Sequence, residues 1–476
     1  MASRKAKIGS LIGLSALVAA ASVAAVMRRD PNPVLQTLPL GQYAGPMVLD
    51  ARTDRVFVAV HNDIMGGGGR LVMLDGVTGA VLRTIPLPGS STTFAADRQT
   101  GAVVVGSGDF GATLTGQVMV LDGQTGAIRR TITLTSYVNG VAVDERTGRL
   151  STTSVGFSSC SSGGCTAGKS TLTILDESPG RVRKVVSLSE AHSTVAVDPS
   201  REHLVVASSG AYYGVAPSRR STIAIVDEHD GHIVHTLSLG GVVSDAPLID
   251  SSSGHTFLLL STWPAGAPAT SLPTGSRLLV LDTVSGRLLH NVSLGSAFNH
   301  MFLDQRLRRL VITTISPAHA VTLSHSSIGV TTLVPNGIGA LDVFDTRMVS
   351  LVHHVSVGIS PIAVAVDTRS ARVYVANASP VGTTGRFTTP GTVSILDEHT
   401  YAPLTTATVG INPIAIRVDE RTGRVFVLNA GSLGVSVTPP DPWSWLPGSV
   451  RHLLPFLAAP RPHTIPVSIS VLDASR

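Results

Sequence analysis

From residue 34 onward, apolar and polar positions alternate in short runs, and the runs end on aspartate. Val141-Ala-Val-Asp144 and Val418-Asp419 close two such runs, each followed by Glu-Arg-Thr-Gly-Arg and a second run. Alternation at a period of two is the signal of a β-strand with one face buried. First-strand aspartates recur at Asp50, Asp97, Asp144, Asp198, Asp250, Asp304, Asp367 and Asp419. A third strand then ends at Asp75, Asp122, Asp176, Asp227, Asp282, Asp345, Asp397 and Asp473. Val118-Met-Val-Leu-Asp122 and Val393-Ser-Ile-Leu-Asp397 are examples, and a fourth strand follows, as in Arg83-Thr-Ile-Pro-Leu87.

The turns explain the aspartates. An Asp side chain accepts backbone N–H groups two and three residues on, and a Gly four residues on takes a left-handed conformation without a steric penalty. Gly79, Gly101, Gly126, Gly148 and Gly423 fit that position. Asp54, Glu202, Arg308, Val349, Ala371 and Tyr401 stand there instead, so these six turns are expected to differ. A residue that returns in every repeat at a turn start is architecture, so the aspartates are not read as catalytic carboxylates or metal ligands.

Four antiparallel strands per unit of about fifty residues are the signature of a propeller blade. The expected fold class is an all-β β-propeller of eight four-stranded blades, with seven as the alternative count. The eighth unit stops after its third strand at Asp473, while Val34-Leu-Gln-Thr-Leu-Pro-Leu-Gly41 matches the fourth-strand segment Val81-Leu-Arg-Thr-Ile-Pro-Leu87. The N-terminal strand is therefore expected to complete the last blade and close the ring, leaving no open sheet edge.

The second strands of the last two units read Tyr374-Val375-Ala376-Asn377 and Phe426-Val427-Leu428-Asn429. On these residues the repeat resembles the YVTN-type β-propeller repeat of YncE-like exported bacterial proteins, across nearly everything from residue 34. The resemblance implies the fold. It implies no activity, since propellers serve both as binding proteins and as enzymes.

Composition refines location. With 43% hydrophobic and 14% charged residues, 47 Gly and 28 Pro, the chain has ample material for a β core. A net charge of +5 over 476 residues is a mild bias without a basic face, so nucleic acid is not an expected partner. Arg4, Lys5 and Lys7 precede an apolar stretch from Ile8 to Met27. Twenty residues at helical rise cover ~30 Å, enough for a bilayer core. Residues 1–30 are expected to be a signal peptide or a helical membrane anchor, and 34–476 a single propeller domain outside the cytoplasm, secreted or membrane-anchored. The two cysteines, Cys160 and Cys165, flank a Gly- and Ser-rich loop and are expected to form a disulfide in an exported chain.

The turns after strands one and three are short, whereas the loops between strands two and three carry the insertions, the longest from Gly431 to Pro466. That insertion holds Trp443 and Trp445 beside several prolines and leucines; capping the propeller's own face and binding a partner are both open to it. His192 stands where a proline opens other first strands, and Asp245 and His300 occupy neighbouring link positions. These three ring the expected channel mouth, where His and carboxylate side chains can hold a transition metal; ordinary solvated histidines are the plainer reading. No nucleophile elbow, zinc-protease helix, phosphate loop or dinucleotide fingerprint occurs, and no motif requires a cofactor. Two functions follow: a monomeric extracytoplasmic binding or scaffold protein, with a cell-envelope protein or polysaccharide as partner, and a channel-mouth enzyme such as a metal-assisted hydrolase or lactonase.

Overall fold

The burial of each strand follows its place in the unit. Second strands are sealed on both faces, as in Arg55–His61 and Ala102–Gly108. Fourth strands such as Val81–Pro86 are mostly exposed. First strands such as Tyr43–Asp50 are half-buried. That gradient arises when sheets stand side by side around an axis: inner strands are pressed between neighbouring sheets and outer strands meet solvent. It also explains why second and third strands read as nearly continuous apolar runs although the sheets are antiparallel.

This is a computed structural model, and it describes residues 33–474 apart from 63–67, 109–114, 156, 162–163, 168–169, 179, 189–191, 211–217, 244, 264–272, 296, 316–319, 326–329, 336, 381–386, 388 and 433–464. The expected N-terminal apolar helix, Trp443 and Trp445 lie outside the described residues. Among the described residues no helix is long and apolar enough to cross a membrane.

Residues Val34–Ser475 form one unit. Its strands fall into eight sheets of the expected kind, making an eight-bladed β-propeller. The blades open with first strands Tyr43–Asp50, Ser90–Asp97, Tyr137–Asp144, His192–Asp198, the interrupted pair Val242–Val243 and Leu248–Asp250, Ala297–Asp304, Pro361–Asp367 and Pro413–Asp419. The seven-blade alternative is excluded. The fourth strand of blade 8 is Val34–Gly41, antiparallel to Val467–Asp473, with Thr37 opposite Ser470 and their hydroxyls 2.9 Å apart. Leu40 enters the apolar cluster that joins blade 8 (Phe426, Ile469, Val471) to blade 1 (Val58, Val72). Each of the other seven seams has its own two-blade cluster; Phe57 and Leu71 of blade 1 pack on Val103 and Met119 of blade 2, for example. Stability is thus a sum of blades and nearest-neighbour seams, as in other repeat folds.

The turns behave as expected in chemistry. Asp144 accepts the N–H of Arg146 at 2.8 Å, and Asp122 accepts the N–H and hydroxyl of Thr125, both at 2.8 Å. One expectation is corrected. The six turns lacking glycine do not differ: Asp54, Glu202, Arg308, Val349, Ala371 and Tyr401 all adopt the left-handed conformation, with φ between 51° and 57°. The N–H of Tyr401 still reaches the Asp397 carbonyl at 2.8 Å, as Gly126 reaches Asp122. The turn's hydrogen bonds and the seam hold these residues against the cost of a Cβ at positive φ.

Two further hairpins, Phe157–Ser161 with Gly164–Ala167 and Ala320–His325 with Val330–Pro335, are inserted between the second and third strands of blades 3 and 6. The first pairs Cys160 directly with Cys165. Residues directly opposed in an antiparallel pair have Cα atoms about 4.5–5.5 Å apart, inside the range a disulfide spans.

The tetrad that carries the YVTN resemblance is structural here. Tyr374 is buried, with its hydroxyl donating to the Ala474 carbonyl of blade 8 at 3.4 Å. The Asn377 amide donates to Thr392 and Ser394 of the third strand, and its carbonyl oxygen accepts the N–H of Gly358 near the end of the fourth strand of blade 6. Asn429 repeats the amide part on Ser468 and Ser470.

Candidate functional site: the central channel

The first strands surround an axial cavity of about 1220 Å³. At the face shared with the strand two–three loops it begins at Asp245 and His300. At the other face it ends among the first turns, where Arg52, Arg98, Arg369 and Arg421 stand beside Glu420. Between them the wall is largely apolar, with Ile362, Val364, Ile414, Met301 and Phe302 on it.

Blade 5 explains the upper end. Pro247 has no N–H to give a ladder, so the first strand breaks between Val243 and Leu248. The loosened segment carries Asp245 towards blade 6. One oxygen of Asp245 accepts the N–H of Met301 at 2.9 Å and lies 3.7 Å from His300 Nδ1. Asp245 and His300 both line the cavity. The side chain of His192 lies outside the described residues, although its backbone opens blade 4 opposite Ser209. Among the described residues the one cluster with three metal-capable donors is Asp227, Asp230 and His232, on an outer turn of blade 4 away from the channel. Asp227 there already accepts the N–H groups of His229 and Asp230.

The lower end is ringed by first-turn arginines that reach forward to the next blade. Arg52 donates to the Gln99 carbonyl at 3.3 Å, Arg146 to Glu202 at 2.7 Å, Arg201 to the Ser251 carbonyl at 2.9 Å and Arg369 to the Arg421 carbonyl at 3.2 Å. Arg421 closes on Asp54 across the junction of blades 8 and 1, and Arg306 pairs with Glu398. These arginines are latches between blades, and they also leave the mouth cationic.

Sequence reasoning missed Arg417. It stands two residues before the first-strand aspartate of blade 8, where the other blades have Val48, Ala95, Ala142, Ala196, Leu248, Phe302 and Ala365. A comparison of that one position across the repeats isolates it. Arg417 faces the lumen and lines the cavity. Among the described residues its guanidinium donates only to the carbonyl of its neighbour Ile416, at 2.8 Å. Its side chain is exposed to the channel, and the protein around that channel lowers its pKa by desolvation.

No family model matches the chain, and no curated protein matches it. Solved structures do. Sqt1 of Saccharomyces cerevisiae superimposes with a TM-score of 0.56 at 12% identity, covering 85% of this chain and 97% of that one. The C-terminal WD40 domain of Sif2 gives 0.55 at 8% identity, covering 83% and 94%. The propeller of Dos1 gives 0.53 at 11% identity, covering 84% and 93%. The chain is a β-propeller. At such identities the likeness reaches the fold and stops there, and the narrower YVTN-type assignment remains a resemblance.

Proposed function

We propose that this propeller is a non-catalytic binding or scaffold protein of the extracytoplasmic space. It presents the loops between second and third strands, on one face, to a cell-envelope protein or polysaccharide. In this reading residues 1–30 export or anchor the chain. The observation that carries it is the one-sidedness of the added length. The turns after first and third strands are short hairpins of one design, while both extra hairpins and the long segments of the other blades interrupt the unit between strands two and three. Variation over a uniform scaffold is how loop-based recognition surfaces are built.

Blade 8 offers a clean test. Its insertion, residues 433–464, leaves and re-enters the fold at a clamped pair. The N–H of Ser432 donates to the Ile465 carbonyl at 3.1 Å, and the N–H of Ile465 donates to the Ser432 hydroxyl at 2.9 Å. Replacing 433–464 by a short Gly-Ser link removes Trp443 and Trp445 while keeping that clamp. The reading expects an unchanged melting temperature and a loss of partner recovered from cell-envelope fractions. Full recovery by the shortened chain would assign the insertion to capping instead.

The enzyme reading has one observation in its favour, the approach of Asp245 to His300 beside a cavity. Two donors do not make a metal site. Stoichiometric metal in purified protein that Asp245→Asn abolishes would move the assignment to a metal-assisted hydrolase.

A further inference from the structure

We infer that the central channel is a binding site for an amphipathic monoanion, a carboxylate on an apolar chain, with Arg417 holding the carboxylate. This site is separate from the loop face, and the proposal does not rest on the function assigned to that face.

Three observations converge. The first is the placement of Arg417. It is exposed to the channel with no carboxylate paired to it among the described residues, whereas seven blades place Val, Ala, Leu or Phe at the same position. A single guanidinium kept there, satisfied only by its neighbour's carbonyl, has most of its five N–H donors available to an incoming group. Its planar fork matches a carboxylate in a bidentate arrangement. The second is the sign of the surroundings. Five arginines line the cavity (Arg52, Arg98, Arg369, Arg417 and Arg421) against the carboxylates of Asp245 and Glu420. Of these, Arg421 is neutralised by Asp54, and Asp245 lies at the far end beside His300. A cationic mouth attracts anions and raises their concentration at the channel entrance.

The third is the wall. Phe302 and Ala365 stand at the register level of Arg417, with Ile362, Ile414 and Met301 on the side of the loop face. An apolar chain extending from a carboxylate on Arg417 towards that face covers these side chains, and the burial contributes about 25 cal/mol per Å². A cavity of about 1220 Å³ has ample room, since small-molecule pockets run to roughly 1,000 Å³. A purely inorganic anion would leave the wall unused, and a neutral chain would leave the guanidinium unpaired.

The test uses the full chain in phosphatidylcholine nanodiscs and three probes, octanoate, octan-1-ol and acetate, in equilibrium dialysis with empty nanodiscs as the reference. Octanoate is expected to bind with a stoichiometry near one, and octan-1-ol and acetate each at least about tenfold more weakly. Arg417→Met is expected to weaken octanoate by about ten- to a hundredfold, the range of one charge-assisted hydrogen-bonded pair. Arg417→Lys, which keeps the charge, should retain part of the affinity, and thermal melts establish that both variants are folded. Octanol binding as tightly as octanoate, acetate doing so, octanoate not exceeding the empty nanodisc, or a folded Arg417→Met binding octanoate like the wild type would each overturn the proposal.

Discussion

Glu228 of blade 4 faces Asp144 of blade 3 across their seam, and both carboxyl groups are buried. Two buried carboxyl groups side by side disfavour a second negative charge, which favours a proton on one of them. Burial first, then Asp144, raises Glu228 from an ordinary 4.5 to about 8, with Arg149 at 3.7 Å opposing and Glu202 adding to the rise. Glu177 of blade 3 repeats the arrangement on Asp97 of blade 2 and is raised to about 7, chiefly by burial. In blades 1 and 2 the equivalent positions are Gly76 and Gly123; a Cβ on Gly123 would meet the Asp50 carboxylate at 2.2 Å.

The seam acids give a pH prediction with a definite sign. Below about pH 4.5 these glutamates are protonated whether the chain is folded or not, and they favour neither state. As pH rises the unfolded chain loses the protons first, so stability falls until each folded glutamate has titrated, near pH 7 for Glu177 and pH 8 for Glu228. Glu228→Gln removes that loss at one seam. Its melting temperature should exceed the wild type's by about 2 °C or more above pH 8 and converge with it near pH 4. Parallel melting curves across pH 4–9 would show that the seam is not protonated.

Ring closure makes the N-terminal strand structural. Leu40 is buried against Val467 and Ile469, and Leu40→Ala should cost about 2 kcal/mol. Deleting residues 34–41 exposes the whole edge of Val467–Asp473, and the melt should drop on the order of 10 °C. An unchanged melt after the deletion would rule out closure by this strand.

The strained turns are open to relief. Ala371 sits at φ 54°, where its Cβ costs roughly 1–2 kcal/mol and glycine does not. Ala371→Gly should stabilise the chain by about 0.5 kcal/mol after the extra backbone entropy of glycine, whereas Ala371→Val should destabilise it. Denaturant midpoints of the two variants should fall on opposite sides of the wild type.

An unpaired charge in the lumen should be a stability cost. Arg417→Met is expected to raise the melting temperature of the ligand-free chain by roughly 1–2 °C, because it removes one of five arginines lining the same cavity and places an apolar side chain on an apolar wall. A fall would mean that Arg417 is a structural residue.

The fold was legible because the same local chemistry recurs in every unit. Asp144 and Asp122 start their turns for reasons contained within four residues, and the period of two gives the strands. The strand exchange at Val34–Gly41 was legible from likeness to Val81–Leu87. The link positions of Asp245 and His300 could be read by counting back from the repeated aspartates. Arg417 could not be read from its own segment, since an Arg in a half-buried strand usually faces bulk solvent; its meaning depends on the ring placing that face inward. The non-glycine turns were misread for a related reason. The conformation at Val349 and Tyr401 is held partly by the adjoining seam, which no local window contains.

The central claim, recognition through one face, is tested most directly by site-specific photo-cross-linking in cells. A photoreactive side chain at Asn62 or Thr274 samples the loop face; one at Gln124 or Ser285 samples the hairpin-turn face, and all four positions are exposed. Discrete cross-linked products from Asn62 and Thr274, absent from Gln124 and Ser285, are the predicted result. Products of equal or greater yield from the turn face would contradict it.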